Sequence, residues 1–367
     1  MARIAVVSNY AWTLFNFRRD LMAALVAAGH DMHAISEPDE YSDRLGVPFH
    51  AIDLDRAGMN PCRDIADIFR LRGLFRRLDI DVALTFTIKP NIYGTIAAGS
   101  LGIPVLNNVS GLGTAFIRTT WLTRIVKLLY RLAFRHSTTV FFQNSDDRDL
   151  FLGQGLLPAE KAGLLPGSGI DLDRYRPRPK LEADPRSPVF LLIARLLWDK
   201  GVREFADASA IVRTQYPNAR FQLLGFLDVA NRTAIPRETV EGWVRDGSVE
   251  YLGTVEDVRP VIAAADCVVL PSYREGTPRT LLEAAAMAKP LIATAVPGCR
   301  EVVDDGKNGF LCRVRDAADL AEKLLKFCAL AAIKREMMGQ ASREKVEREF
   351  DQQIVIRKYL SAIARLA

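Results

Sequence analysis

The 367-residue sequence lacks the features that mark several common classes of protein. Its five cysteines are an odd number and have no C-x2-C spacing, which favours neither a disulfide framework nor a zinc site. No apolar run approaches the ~20 residues that a membrane-spanning helix needs. The opening residues, MARIAVVSNY, are typical of a buried strand and not of a cleaved signal peptide. We therefore expect a cytoplasmic protein whose cysteines are mostly buried thiols.

Length and composition predict two α/β domains. The chain is too long for one typical core, and 49% hydrophobic with 25% charged residues is ordinary for a globular protein. Apolar strand-like runs, such as 3–10 and 189–194, alternate with helical segments, which indicates parallel sheets. The stretch 171–188 is rich in Pro, Arg and Asp and predicts a linker. The expected domains are 1–175 and 176–350, followed by a final helix over 351–367.

Negative charge is missing from one long stretch. Net charge is only +5, but no acid occurs between Asp81 and Asp146, while basic residues recur at helical spacing along WLTRIVKLLYRLAFRH. A basic helix stripe can simply be solvated, yet its place in an acid-free zone favours docking on an anionic membrane leaflet. Nucleic acid is not an expected partner, because no aromatic platform is interleaved with the basic residues. The predicted docking residues are Arg118, Trp121, Arg124, Lys127, Arg131 and Arg135.

The stretch 266–309 contains the pattern of a small anion site. A buried strand, 267–270, runs into PSYREG, and a helix follows. Thr277 is predicted to cap this helix, and Pro278 suits its first position. The free N–H groups of the first turn then come from Arg279 and Thr280, and they point with the helix dipole toward whatever lies above Gly276.

Two carboxylates, Glu275 and Glu283, bracket the predicted helix start. An isolated pair at this spacing often only solvates a helix and a loop. Here the strand, the Gly-Thr-Pro turn and the small-residue helix favour a functional reading. Because carboxylates repel phosphates, their natural partners are neutral hydroxyls, so the arrangement suits a sugar nucleotide. A second pair of charges, Arg195 and Lys200, lies on one loop after the strand 189–194 and would hold a diphosphate without a metal.

The first domain contributes the candidate acceptor contacts. The carboxyl ends of its strands should lie together at one edge of the sheet. Asn16 and Arg18 follow the first strand, and Lys89 and Asn91 follow the strand that begins at 82. Lys89 at such a strand end could meet an acceptor diphosphate.

These segments resemble a known family. SYREGTPRTLLEAAAMAKP with PGCREVVDDGKNGFL resembles the donor-binding signature of the family 4 retaining glycosyltransferases, and RLLWDKG is similar to their R-L-x-x-x-K-G. TFTIKPNIYG is similar to members that extend sugars on undecaprenyl diphosphate, in particular bacterial transferases that add N-acetylgalactosamine. One departure is the loop SNYAWTLFNFR, which lacks the Gly-Gly pair of many members.

The resemblance implies a GT-B fold, two Rossmann-like parallel-sheet domains facing a central cleft, with the final helix crossing back to the first domain. It implies a UDP-N-acetylhexosamine donor, a polyprenyl-diphosphate-linked sugar acceptor, no cofactor or metal, and a location on the inner face of the cytoplasmic membrane. The catalytic residues would be Glu275, Arg195 and Lys200. Donor contacts would come from Glu283, Gly276, Thr277, Arg279, Thr280 and Gly225, the last near the nucleotide base.

The implied mechanism is transfer of an N-acetylhexosamine with retention of the anomeric configuration. No carboxylate is clearly placed as a nucleophile, so the resemblance implies front-face attack, with the leaving phosphate oxygen taking the acceptor proton. Two alternatives stay open from sequence: a UDP-sugar epimerase of GT-B architecture with no lipid acceptor, and a non-catalytic membrane scaffold. The sequence does not fix the sugars, the linkage or the oligomeric state.

Overall fold

The computed structural model describes residues 1–54, 61–112, 121–178, 187–229 and 231–366. The chain divides into two compact units, the first formed by Met1–Ser168 with Gln353–Ala367 and the second by Gly169–Gln352. The first boundary therefore lies before the position 175 that the sequence suggests, and the chain returns to the first unit near its end.

The first unit is built on a seven-stranded parallel sheet with the order β3-β2-β1-β4-β5-β6-β7. Its strands are β1 (Arg3–Tyr10), β2 (Asp31–Glu37), β3 (Phe49–Ala51), β4 (Val82–Phe86), β5 (Val105–Val109), β6 (Ser137–Phe142) and β7 (Ala162–Leu164). Its helices are α1 (Ala11–Ala27), α2 (Pro61–Arg77), α3 (Thr95–Gly99), α4 (Trp121–Phe134) and α5 (Ser145–Gly153), and a π-helical turn, Pro90–Gly94, follows β4.

Two apolar clusters cover the two faces of this sheet. One joins side chains of α2, α3, α4 and α5, including Phe75, Ala97 and Phe134, to the sheet. The other joins α1 to the chain's last helix, with Leu14 and Tyr359 among its buried members. The sheet is therefore covered by helices on both faces, as a parallel sheet requires.

The second unit is built on a six-stranded parallel sheet with the order β10-β9-β8-β11-β12-β13. Its strands are β8 (Val189–Ile193), β9 (Arg220–Leu224), β10 (Glu250–Tyr251), β11 (Cys267–Leu270), β12 (Leu291–Thr294) and β13 (Gly309–Cys312). Its helices are α6 (Val202–Arg213), α7 (Arg237–Arg245), α8 (Arg259–Ala264), α9 (Arg279–Ala286), α10 (Cys299–Val302), α11 (Ala317–Cys328) and α12 (Ala332–Glu349).

Both sheets follow the doubly wound order, in which the chain starts at a central strand, winds to one edge and then fills the other side. The order reverses between β1 and β4 in the first unit and between β8 and β11 in the second. Ligands of such sheets bind beyond the carboxyl ends of the strands at these switch points. The predicted pair of Rossmann-like parallel sheets is confirmed.

The last helix, α13 (Gln352–Ala364), packs against the first unit. Tyr359 is buried there, with its ring 5.2 Å from the ring of Phe141 and 6.3 Å from that of Phe86. Its hydroxyl accepts a hydrogen bond from the Asn108 amide at 3.0 Å. The chain end is thus fixed to β4, β5 and β6 by both apolar and polar contacts.

Candidate active site

Two loops meet at the switch point of the second sheet. One follows β8 and contains Arg195 and Lys200; the other follows β11 and contains Ser272 and Glu275. They are joined through one carbonyl, because the Ser272 hydroxyl and the Tyr273 N–H both donate to the Asp199 oxygen, at 3.0 and 2.9 Å. The two loops therefore hold their side chains in a fixed relation.

Lys200 and Glu275 form an ion pair across these loops, from Nζ to Oε1. Both side chains are largely buried. An ammonium group has three donors, so Lys200 can hold this carboxylate and still donate to a second anion. Gly201, which follows Lys200 at φ +71°, permits the approach, since a Cβ there would lie 2.0 Å from the Pro271 carbonyl oxygen.

A third loop, which follows β12, contacts the backbone of Glu275 and Gly276. Gly298 has φ +84°, and a Cβ on it would lie 2.4 Å from the Gly276 oxygen and 2.8 Å from the Glu275 carbonyl carbon. The Glu275 N–H donates to the Pro297 oxygen at 3.3 Å, and the Gly298 N–H donates to the Glu301 carboxylate at 2.6 Å. The backbone at Glu275 is thus held between neighbouring loops.

The helix start differs by one residue from the prediction. Pro278 has ψ 114°, outside the helical region, so α9 begins at Arg279, and neither Pro278 at the first position nor Thr277 as the cap is correct. The N–H groups of Leu281 and Leu282 donate to the Pro278 oxygen. The N–H groups of Arg279 and Thr280 therefore precede the first intrahelical bond, as the anion-site prediction requires.

Glu283 lies in a buried triad that the sequence does not predict. Its Oε1 accepts hydrogen bonds from the Arg279 guanidinium and the Tyr175 hydroxyl, each at 2.9 Å. Burial, together with the Glu283 carboxylate, raises the pKa of Tyr175 to about 12, so this phenol stays a donor at any ordinary pH. Tyr175 follows the first unit in the chain, and no motif around it signals this role.

The remaining predicted donor residues flank the same loops. Arg195 is exposed, and its guanidinium forms no hydrogen bond or ion pair with any residue the structure describes. Gly225, at the end of β9, lies against β8, where a Cβ would be 1.8 Å from the Ala194 oxygen. Arg195, Lys200, Glu275 and Gly225 are therefore brought to one edge of the second sheet.

The predicted acceptor residues of the first unit have different surroundings. Lys89 pairs with Asp64 of α2 at 3.0 Å and lies over the Tyr93 ring. Asn91 is 1% exposed: its oxygen accepts from the Thr85 hydroxyl at 2.8 Å and its amide donates to a carbonyl of β5 at the same distance. Because these interior contacts occupy Asn91, the structure does not support it as a direct acceptor contact.

Arg18 is also an interior residue. It is 4% exposed and stacks 4.3 Å from the centroid of the Phe86 ring. The Asn16 amide donates to the Trp12 carbonyl one helical turn earlier, at 2.9 Å. Arg18 and Lys89 are the two charged residues of this predicted set, and both lie near the carboxyl end of β4, at the switch point of the first sheet.

Helix α4 presents both charged and apolar side chains. Arg124, Arg131 and Arg135 are exposed and Lys127 is half-buried, although the Arg131 guanidinium donates to the carbonyls of residues 154 and 155. Exposed apolar side chains, Ile125, Leu128 and Leu132, are interleaved with them. Arg118 and the side chain of Trp121 lie outside the described residues. In the part of the chain that the structure describes, no helix has the length and apolarity to cross a membrane.

The sequence does not predict several further contacts near the candidate site. The Tyr273 hydroxyl donates to Glu204 of α6 at 2.7 Å, and the Arg315 guanidinium lies over the Tyr273 ring. Burial and the neighbouring carboxylate raise the pKa of Tyr273. Their only sequence signal is position, because Glu204 is in the first turn of a helix and Tyr273 follows a buried strand. No group of three or more potential metal ligands stands together in the described ranges.

Two family models match the two units. Residues 16–167 match a glycosyl transferase 4-like domain, and residues 187–329 match the glycosyl transferases group 1. The chain belongs to the family 4 glycosyltransferases. The fold is also that of a solved structure, the sucrose-phosphate synthase of Thermosynechococcus elongatus, with a TM-score of 0.83 at 18% identity over 100% of this chain and 99% of that one. This glycosyltransferase therefore has the GT-B fold.

Two relatives of this family 4 glycosyltransferase are named for lipid-linked sugars. It is 27% identical, over 99% of both chains, to N,N'-diacetylbacillosaminyl-diphospho-undecaprenol alpha-1,3-N-acetylgalactosaminyltransferase of Campylobacter jejuni. It is 24% identical to UDP-Gal:alpha-D-GlcNAc-diphosphoundecaprenol alpha-1,3-galactosyltransferase of Escherichia coli, over 72% of this chain and 70% of the relative. Both names describe transfer to a diphospho-undecaprenol-linked sugar.

Proposed function

We propose that this glycosyltransferase moves an N-acetylhexosamine, N-acetylgalactosamine in the first instance, from a UDP-sugar to a sugar on undecaprenyl diphosphate, with retention at the anomeric carbon. The step would serve bacterial glycan assembly, such as protein glycosylation, O-antigen or capsule. The observation that carries the proposal is the Lys200–Glu275 pair at the switch point of the second sheet. In this proposal the Lys200 ammonium would bind the diphosphate and the neighbouring Glu275 carboxylate would bind sugar hydroxyls.

In this proposal the cationic groups of the site stabilise the leaving diphosphate. As the bond from sugar to UDP breaks, negative charge grows on the diphosphate, and preorganised donors stabilise it most effectively where water is limited. Lys200 is largely buried, and Arg195 has no competing partner among the described residues. The N–H groups of Arg279 and Thr280 add the positive end of α9. We propose that these groups together replace a metal ion.

In this proposal the two carboxylates bind the uncharged hydroxyl groups of the donor. Glu275 would accept hydrogen bonds from sugar hydroxyls while its ion pair with Lys200 holds the carboxylate in place. Glu283 would accept one from the ribose. An ionised carboxylate offers about four lone-pair sites, and the contacts from Arg279 and Tyr175 both go to Oε1. A ribose contact would therefore add to the triad without breaking it.

The acceptor half of the proposal rests on the first unit. Lys89 would exchange Asp64 for the acceptor diphosphate, and the basic face of α4 would hold the protein at an anionic leaflet. Each basic residue near such a surface contributes about 1 kcal/mol. The two relatives named above are transferases to lipid-linked sugars, and neither name supports the epimerase alternative.

The test is UDP release in EDTA from a panel of UDP-hexoses and UDP-N-acetylhexosamines, with and without a polyprenyl-diphosphate-linked sugar. We expect release that requires the acceptor and is fastest with one N-acetylhexosamine, and a product whose anomeric proton coupling shows retention. Replacing Arg124, Lys127 and Arg131 with Glu should abolish co-sedimentation with anionic liposomes. Equal UDP release without acceptor, or a sugar epimer without product lipid, would contradict the proposal.

A further inference from the structure

Helix α2 exposes two large apolar side chains on one face. Ile65 is 55% exposed and Phe69 65% exposed, and a spacing of four residues places them one above the other on a helix. The opposite face of α2 is buried through Leu71, Leu74 and Phe75. A single exposed apolar side chain is ordinary, but a contiguous group marks a contact surface.

Helix α4 lies on the same face of the sheet as α2. Helices α2 and α4 both pack against the turn Pro90–Gly94, and α3 contacts each of them, so the two helices flank this turn on one face of the sheet. Helix α4 also exposes apolar side chains, Ile125, Leu128 and Leu132, so both helices on this face of the sheet present apolar residues to solvent.

Charge around these helices selects the partner. The two acids of α2 are already paired, Asp64 with Lys89 and Asp67 with Arg70, and α4 has no acid. Helix α2 carries five arginines against two acids, and the charged residues of α4 are all basic, so the apolar side chains stand among a surplus of positive charge. An apolar face with a basic border is the pattern of helices that lie in the interface of an anionic bilayer.

The second unit offers a comparison with the same apolar signal and a different border. On α12, Ile333 is 60% exposed and Met337 56% exposed, again four residues apart. The sequence of this helix mixes acids and bases throughout, AIKREMMGQASREKVERE. Charge thus distinguishes the pair on α2 from the pair on α12.

We propose that Ile65 and Phe69 of α2 insert into the acyl boundary of an anionic phospholipid bilayer, beside the basic face of α4. This inference deepens the proposed function and rests on it for its purpose. Because Asp64 precedes Ile65 and pairs with Lys89, insertion would place the Lys89 ammonium at the depth of the lipid phosphates, where an acceptor diphosphate also lies.

The experiment compares the full chain carrying Ile65→Ser and Phe69→Ser with a matched control carrying Ile333→Ser and Met337→Ser. Both are sedimented with vesicles of phosphatidylglycerol and phosphatidylcholine at low and high salt. Salt screens the attraction of basic residues but not apolar insertion. We expect the α2 variant to lose about tenfold in vesicle partitioning, with the larger loss at high salt, and the control to match the wild type.

Several outcomes separate the explanations. Equal partitioning of the two double variants overturns the proposal. So does a concentration-dependent dimer in sedimentation velocity that the α2 variant alone loses, because the surface would then bind a second copy of the chain. Turnover on a short-chain, detergent-soluble acceptor should be unchanged in the α2 variant; a parallel loss there assigns Ile65 and Phe69 to acceptor binding and also overturns it. If no chain transfers sugar to any lipid acceptor but the partitioning result holds, the proposed function fails and the bilayer contact stands.

Discussion

The substitution Gly298→Ala tests whether the loop after β12 positions Glu275 for catalysis. A Cβ at Gly298 would lie 2.4 Å from the Gly276 oxygen, whereas ordinary contacts are 3.4 Å or longer. The Glu275–Gly276 peptide would therefore have to move by about 1 Å, and a displacement of that size costs on the order of 100-fold in rate. Because Glu275 also holds Lys200, both groups should shift together.

The substitution also has a backbone cost that must be separated from the contact. Gly298 has φ +84°, where a non-glycine residue is strained by about 1–3 kcal/mol. Gly306 has φ +76° and nothing within 4 Å of an added Cβ, so Gly306→Ala has a comparable backbone strain and no clash.

Thermal unfolding and steady-state kinetics of both variants separate the effect of backbone strain from the effect of the clash with Gly276. We expect both to lower Tm by several degrees, but only Gly298→Ala to lower kcat/KM by about 100-fold. If Gly306→Ala loses as much activity, or if Gly298→Ala keeps normal rates, the loop does not position Glu275 in the way described.

Four further predictions concern single groups. Lys200→Ala should lower kcat/KM by about 100-fold, on the order of 3 kcal/mol, in UDP-release assays, and near-normal rates would remove it from the site. Tyr175→Phe removes one hydrogen bond to Glu283 and should raise KM for the donor more than it lowers kcat; an unchanged KM would detach the triad from donor binding. A thiol dye should label Cys62 alone in the native chain, since burial raises the pKa of Cys328 to about 12; faster labelling of a second thiol would contradict this. Burial, helped by neighbouring cationic groups, lowers the pKa of His50 below 6.5. Because the unfolded chain then binds a proton at His50 more readily than the folded chain does, the free energy of unfolding should fall as pH drops below about 6.5. In urea melts, His50→Gln should flatten this pH dependence.

The sequence predicts the parts of this fold that have one strong signal. Continuous apolar runs reveal β1, β8, β11 and β12, because strands buried on both faces carry few polar residues. The observed strand order then explains why Lys200 lies near Glu275, since β8 and β11 are neighbours and the loops after neighbouring parallel strands meet at one edge.

Residues whose role depends on three-dimensional neighbours could not be predicted. Asn91 looks like a polar loop residue, yet Thr85 and Asn108 satisfy its amide inside the unit. Arg18 follows the first strand in sequence, and its stacking on Phe86 cannot be inferred from that position. Tyr175 reaches Glu283 across 108 residues of chain. In each case the deciding partner lies on another element of the fold.

Helix α2 was missed for a different reason. Its buried stripe of Leu71, Leu74 and Phe75 is short, and the exposed Ile65 and Phe69 lie off that stripe, so the apolar residues do not form one clear period. An amphipathic pattern is readable when a helix has one apolar face. The exposed apolar residues that are proposed to contact lipid are therefore the ones that obscure the helical pattern of α2 in the sequence.

Each unit has a lysine beside its switch point, and each of these lysines forms an ion pair with a carboxylate. Lys200 is held by Glu275 and Lys89 by Asp64. The carboxylate orders the ammonium group and competes with any other anion for its donors. A diphosphate has more charge than one carboxylate and offers several acceptor oxygens, so it can compete for the same ammonium where a single charge does not. The pairing of each lysine thus favours diphosphate groups, which are the groups common to the proposed donor and the proposed acceptor.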